Sequence, residues 1–391
     1  MTITTYENPL TSPLNPLDPP ARLLCGPGPT NPDPRVVEAM HRPMLGHLDP
    51  DMHEILLEVV ELLRQTWRAG DDALVLPLSS TGTSAMEAGI VNLLAPGETL
   101  IVAECGFFGR RIAEIARRHG IVVVDVMADW GQAVPNDRLL AALDEHPEAS
   151  MVAVVHAETS TGVEHPLAQL SAALRHSDVL LMADCVTSLG GMELDFDRMG
   201  IDYAYSCTQK CLGAPPGMAP VALSARAQRR MAQRTHPVPF SLDFELLRRY
   251  WVERPAVYHH TAPILHIYAL HEALRQVHLE GLERRWRRHH HAGSYLQQGL
   301  RAFGLELLAD PWRQMAPLTA VRVPDGVDRA QVQKRLLREF GIEVGGGLGP
   351  DAPNIWRLGL MGPNANDRTA ETLLEAFETV LEPSAELIAA V

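Results

Sequence analysis

The sequence predicts an α/β protein: a large domain on a mostly parallel sheet between layers of helices, then a smaller α+β C-terminal domain. Three observations carry that prediction. Between residues 73 and 223, short apolar, β-branched runs alternate with helical patterns of about ten residues, as strands buried on both faces require. Several polar segments follow those runs directly, which is where ligands collect in such sheets. Further on, the alternation gives way to two long helical patterns and a short mixed set of strands and helices. The expected divisions are an arm over 1–22, the large domain over 23–280 and the small domain over 281–391.

Composition narrows the function. With 391 residues, 46% apolar and 21% charged, the chain has the balance of an ordinary globular protein. A net charge of −14 argues against a nucleic-acid partner, which needs a basic face, but not against a small anion held by local arginines. The five cysteines (Cys25, Cys105, Cys185, Cys207 and Cys211) are odd in number and lack paired zinc spacing. They read as reduced thiols in a cytoplasmic setting, with no metal. No apolar run reaches membrane-spanning length, the N-terminus lacks the regions of a signal peptide, and Ile388-Ala389-Ala390-Val391 is no address signal. No membrane partner is expected.

Taken in order, residues 1–22 are rich in Pro, Thr and Asn and follow neither period, so an extended arm is expected. Leu23 to Pro32 is too dense in Gly and Pro for a regular element, and suits either a connector or a ligand wall. Ile55, Leu56, Val59, Leu62 and Leu63 recur at helical spacing over His53–Trp67. Ala73–Leu78 predicts a strand, and Ser79-Ser80-Thr81-Gly82-Thr83-Ser84 opens a helix over Ala85–Leu94. Such a turn offers free N–H groups and a helix dipole to a phosphate, though the same residues make an ordinary cap. Six more strands are predicted, at Thr99–Ala103, Ile121–Met127, Met151–His156, Val179–Ala183, Tyr203–Ser206 and Ala219–Leu223. Helices over Gly109–His119, Asn136–Glu145 and Leu167–His176 separate the earlier ones.

The turn at Thr81, the run Glu158-Thr159-Ser160-Thr161-Gly162, Asp184 and Lys210 each follow a strand, so the topology should gather them along one edge. A lysine and a carboxylate so placed suit pyridoxal phosphate. The lysine holds the aldehyde as a Schiff base, and the aspartate keeps the ring nitrogen protonated so that the ring accepts electrons. Lysines and aspartates also sit at strand ends as solvated turn residues; the convergence is what favours chemistry.

Beyond the sheet, Ile264–Leu279 and Leu282–Phe303 predict long helices. The basic run Arg284 to His291 reads as a solvated helix face, because three consecutive histidines point in different directions and cannot meet one ion. Strands at Thr319–Val323, Ile342–Val344 and Trp356–Leu360, with helices at Arg329–Phe340 and Thr369–Leu381, complete the small domain.

Gly26-Pro27-Gly28-Pro29-Thr30-Asn31, Ser160-Thr161-Gly162-Val163, the run Asp184 to Gly191, and Gln209-Lys210 resemble motifs of the class V, fold-type I PLP-dependent aminotransferases. The chain is most similar to the alanine–glyoxylate / serine–pyruvate group. The resemblance runs from about Leu23 to the final helix and includes Tyr258-His259-His260-Thr261 and Gly345 to Pro350. It implies that Lys210 binds the cofactor covalently and then carries the proton, while Asp184 pairs with the ring nitrogen. Val186 and Phe108 would flank the ring. Thr81, Gly82, Thr83 and Gln209 would contact the phosphate, and Thr159 would lie beside ring oxygen and substrate. Tyr258 and Thr261 would reach the phosphate site of a partner in a homodimer. Arg357 would clamp the substrate carboxylate, with Gly28 and His47 near the substrate side chain. Related ureidoglycine–glyoxylate enzymes carry glutamine where this chain has His47. The expected reaction is amino transfer between alanine or serine and glyoxylate or pyruvate. Ureidoglycine–glyoxylate transamination and a lyase of the cysteine desulfurase type are the alternatives.

Overall fold

The protein's structure, a computed structural model, describes residues 16–381. Most of the expected arm and the final tetrapeptide therefore lie outside the described residues. The chain opens with β1 (Leu23–Leu24), α1 (Pro34–Ala39) and α2 (Pro50–Trp67). Asp49 caps α2 by accepting from Asp51 N, Pro50 presets its first turn, and Met52, Leu56, Val59, Val60, Leu63 and Trp67 form its buried stripe. Then come β2 (Leu74–Leu78), α3 (Gly82–Leu93), β3 (Thr99–Glu104), α4 (Phe107–Arg118), β4 (Val122–Met127), α5 (Asn136–Glu145) and β5 (Ala149–Val155). A small hairpin, β6 (Ala157–Glu158) and β7 (Val163–Glu164), leads to α6 (Ala168–Leu174), β8 (Leu180–Asp184), β9 (Tyr203–Tyr205) and β10 (Ala219–Leu223).

Seven of these strands form one sheet in the order β2-β10-β9-β8-β5-β3-β4. All neighbours are parallel except β10, which runs antiparallel to both β9 and β2. The reason is local: between β9 and β10 the chain reverses through a Gly/Pro turn instead of a crossover helix. The other six strands share one direction, so their carboxyl ends form a single edge.

Helices α7 (Ala225–Ala232), α8 (Phe244–Trp251), α9 (Ile264–Glu280) and α10 (Leu282–Ala302) follow. The pattern reading did not anticipate α7 or α8. Only Ala227 and Met231 of α7 are buried, too narrow an apolar stripe for its period to show. The remainder is β11 (Leu318–Arg322), α11 (Arg329–Glu339), β12 (Ile342–Glu343), β13 (Gly345–Gly346), β14 (Ile355–Gly359) and α12 (Asp367–Leu381). β11, β14 and β13 form an antiparallel sheet, and β1 pairs in parallel with β12, Leu23 opposite Ile342. The Gly/Pro-rich stretch expected to hold no regular element thus begins with a short strand.

Two apolar cores result. One runs through the seven-stranded sheet and its helices; the other joins Cys25 to residues between Ala292 and Val380. Leu282 packs in the first and Leu296 in the second, so α10 spans both.

The solvated face expected for Arg284 to His291 holds at Arg284, Arg287, His290 and His291, which are exposed, and is corrected at two positions. Arg285 and His289 are buried, only 5% and 0% exposed. Arg285 donates to Gly190 O (3.0 Å) and Cys211 O (2.7 Å) and pairs with Glu280 (2.8 Å). His289 accepts from Gly362 N at 3.0 Å, and its other nitrogen meets Arg285 O at 2.9 Å. Carbonyls at two turn ends and one ion pair satisfy a cation that composition alone assigns to water.

Candidate active site

At the common strand edge one cavity of about 170 Å³ is lined by Thr81, Gly82, Thr83, Phe108, Thr159, Asp184, Val186, Gln209 and Lys210. A larger groove, elsewhere between α1, α2 and α9, holds none of these residues. The first nine therefore meet because six strands end on one edge.

The anion-binding end is the start of α3. Thr81 is its cap, accepting from Ser84 N at 3.2 Å. The N–H groups of Gly82 and Thr83 find no acceptor among the described residues, so the positive end of the helix faces the cavity with donors to spare. Gln209 also lines the cavity, and its buried Oε1 has no partner among the described residues.

Asp184 lines the same cavity. Its Oδ1 accepts from Val186 N (2.9 Å) and its Oδ2 from the Tyr205 hydroxyl (2.6 Å). The β8–β9 register places Tyr205 directly beside Asp184. Burial pushes the Asp184 carboxyl up to about 6, against the pull of Tyr205 and Val186. A cation beside it is what would bring it down. Lys210 is also buried, which lowers its ammonium below the ordinary range. Its Nζ donates to Pro27 O. Gly28 stands over the same side chain at φ +101°, where a Cβ would lie 2.5 Å from Lys210 Cδ and Nζ. Any side chain there would be strained at that φ and would displace Lys210.

Arg357, on β14, is 6% exposed. Its Nε donates to Gly346 O (2.6 Å) and its Nη1 to Thr159 O (3.3 Å). Among the described residues no carboxylate lies within ion-pair distance of it, so a structural salt bridge does not explain its burial. Burial lowers it to about 10, with the more distant Glu158 pulling the other way. A buried guanidinium held by carbonyls, with no counterion, suits an incoming carboxylate.

His47, Tyr258 and Thr261 do not line this cavity. The His47 and Tyr258 rings are 5.4 Å apart, and Tyr258 is 57% exposed. Their segment is nevertheless tied to the α3 turn. His259 Nε2 faces Phe240 O (3.0 Å), so it donates there and leaves Nδ1 to accept from His260 Nδ1 (2.8 Å). His260 Nε2 is then an acceptor for the Ser79 hydroxyl at 2.7 Å. Burial first, then the neighbouring His259, lowers His260 to about 4, which keeps His260 neutral.

The sequence reading missed Tyr205, Glu158 and Arg285. Tyr205 could be found from the Tyr203-Ala204-Tyr205 alternation only once the strand register was known. Glu158 lay in a quoted run without a role.

The family model for class-V aminotransferases matches residues 30–361, and the chain belongs to that family of enzymes. The crystal structure of an alanine–glyoxylate aminotransferase from Nostoc sp. is 43% identical, with a TM-score of 0.91 over 94% of this chain and 97% of that one. The alanine–glyoxylate aminotransferase of Callithrix jacchus is 36% identical over 94% of this chain and 90% of its own length. A ureidoglycine–glyoxylate aminotransferase structure from Bacillus subtilis is 36% identical, with a TM-score of 0.90 and 94% coverage of both chains.

Proposed function

We propose that this protein is a pyridoxal-phosphate-dependent aminotransferase that moves an amino group between alanine or serine and glyoxylate. The observation that carries the reading is one cavity holding Lys210, the Asp184–Tyr205 pair and the open start of α3, with Arg357 anchored to Thr159 at its side. The residues fit the cofactor. The free N–H groups of Gly82 and Thr83 want an anion, to which the NH₂ of Gln209 can also donate, and Asp184 wants a cation.

Pyridoxal phosphate supplies the electron sink for amino transfer. The chain does the rest. Thr81, Gly82, Thr83 and Gln209 would hold the phosphate, and Phe108 and Val186 would flank the ring. Asp184 would keep a proton on the ring nitrogen. Arg357 binds the substrate carboxylate, with Thr159 beside it. Lys210, lowered by burial, is the base that moves a proton at the substrate's Cα. Gly28 leaves room for that lysine side chain, and the small cavity favours small donors. His47, Tyr258 and Thr261 lie outside the cavity of their own chain, and we assign them to the partner's site in a homodimer. We read the two cores as two domains joined through α10, and the buried free thiols as those of a cytoplasmic protein. A desulfurase reading needs an accessible, reactive cysteine, whereas Cys207 and Cys211 are buried and their thiols pushed up to about 12.

The test is kcat/KM for alanine, serine, aspartate and freshly made ureidoglycine, each with glyoxylate. Alanine or serine should lead. Efficient use of ureidoglycine with only trace turnover of alanine and serine would overturn the choice of donor.

A further inference from the structure

We propose that Glu158 is a positioning residue that sets Phe108 against the cavity by capping α4 from another strand. The kinetic half of its test rests on the function proposed above; the structural half rests on geometry alone.

α4 begins at Phe107, directly after β3, and its cap position is Gly106, which has no side chain to offer. The first N–H groups of a helix lack partners within it, so acceptors must come from elsewhere. Segment 158–160 supplies them. Phe107 N donates to Ser160 Oγ (2.8 Å), while Phe108 N (3.0 Å) and Gly109 N (3.3 Å) donate to Glu158 Oε2. The other carboxylate oxygen accepts from Ser160 N (3.0 Å) and from the Ser160 hydroxyl (2.6 Å). Glu158 thus takes four hydrogen bonds and meets the positive end of α4.

Its surroundings match this use. Glu158 is 0% exposed, and an ionised carboxyl there would be costly without such donors. It makes no ion pair among the described residues and does not line the cavity. Its oxygens are committed to α4 and Ser160, so it has no acid–base part to play. A Cβ on Gly106 would lie 2.6 Å from Glu158 Cγ and would also strike Ser160 Oγ, so the bare backbone at 106 is what admits the carboxylate. Phe108, whose N–H Glu158 holds, lines the cavity; Thr159, next to Glu158, holds Arg357 through its carbonyl. One buried group therefore registers an aromatic wall against the substrate clamp.

The experiment pairs amide exchange with a double-mutant cycle. Glu158→Gln keeps the volume but replaces one acceptor oxygen by an NH₂ that faces N–H donors. In the full chain, with and without pyridoxal phosphate, exchange should quicken at residues 107–110 and stay unchanged in α12. In the loaded enzyme Glu158→Gln should lower kcat between about ten- and a hundredfold, the scale of a misplaced wall. In a Phe108→Ala background the same change should cost less than about twofold, because Glu158 acts through Phe108. Unchanged exchange at 107–110, or an equal cost in both backgrounds, would overturn the inference. Should Glu158→Gln not fold, Ser160→Ala removes Phe107's acceptor and runs the same cycle, with a smaller loss that again vanishes beside Phe108→Ala. A wild type that takes up no pyridoxal phosphate would refute the proposed function, and the exchange result would still decide the role of Glu158.

Discussion

Asp184 is held by two donors, a backbone N–H and the Tyr205 hydroxyl, and both favour its ionised form. Burial works the other way and sets the carboxyl at about 6. Tyr205→Phe removes a favouring donor, so the carboxyl moves further up. Activity that needs ionised Asp184 should then fail at higher pH than in the wild type: the acid limb of kcat/KM moves upward while the rate near pH 8 changes less. Profiles of both proteins from pH 5 to 9 check this, and an unmoved limb would separate Tyr205 from the charge of Asp184. Tyr205 shows why part of the site was hidden in the sequence. Lys210 and Asp184 announce themselves by chemistry at strand ends. Tyr205 acts through a neighbour fixed by strand register, and Glu158 through a helix start about fifty positions earlier in the chain. One-dimensional patterns carry neither relation.

Among the elements, α10 keeps its predicted bounds but not a wholly solvated basic face. The strands of the large sheet and the helices between them lie within two or three residues of their predicted positions, because hydrophobic period reports burial on both faces directly. Charge does not report burial so directly. Arg285 is buried because Glu280 and the carbonyls of Gly190 and Cys211 receive it, partners set by the fold alone. Arg285→Ala should destabilise the protein by about 3 kcal/mol, since two carbonyls lose their donor and a buried side chain is removed, while Arg288 keeps Glu280 paired. Arg118→Ala, which breaks only the exposed pair with Glu114 on α4, should cost less than about 1 kcal/mol. Urea denaturation of the two variants tests the contrast. Equal losses would mean that Arg285 is as replaceable as a surface arginine.

At the scale of the molecule, three buried histidines make stability depend on acid. Burial lowers His156 and His165 to about 4 and His289 to about 3. Each is neutral in the fold and takes a proton near its ordinary value once unfolded. Their contribution is therefore whole above about pH 6.5 and is lost as pH falls toward the folded values, each by up to about 1.4 kcal/mol per pH unit. Urea midpoints from pH 8 to 4.5 should hold and then fall below 6.5, with His289→Gln flattening the decline; a level midpoint down to pH 5 would contradict this. The pairing of β1 with β12 has a consequence of another kind. Leu23–Leu24 is made long before its partner Ile342–Glu343, and Thr30 Oγ1 awaits Met361 O, 331 positions later. Lys210 and the sheet beneath it are complete long before that. The Pro27–Gly28 wall that touches Lys210 closes after the sheet, so a nascent chain holds a folded sheet but an unfinished site until Met361 has been made.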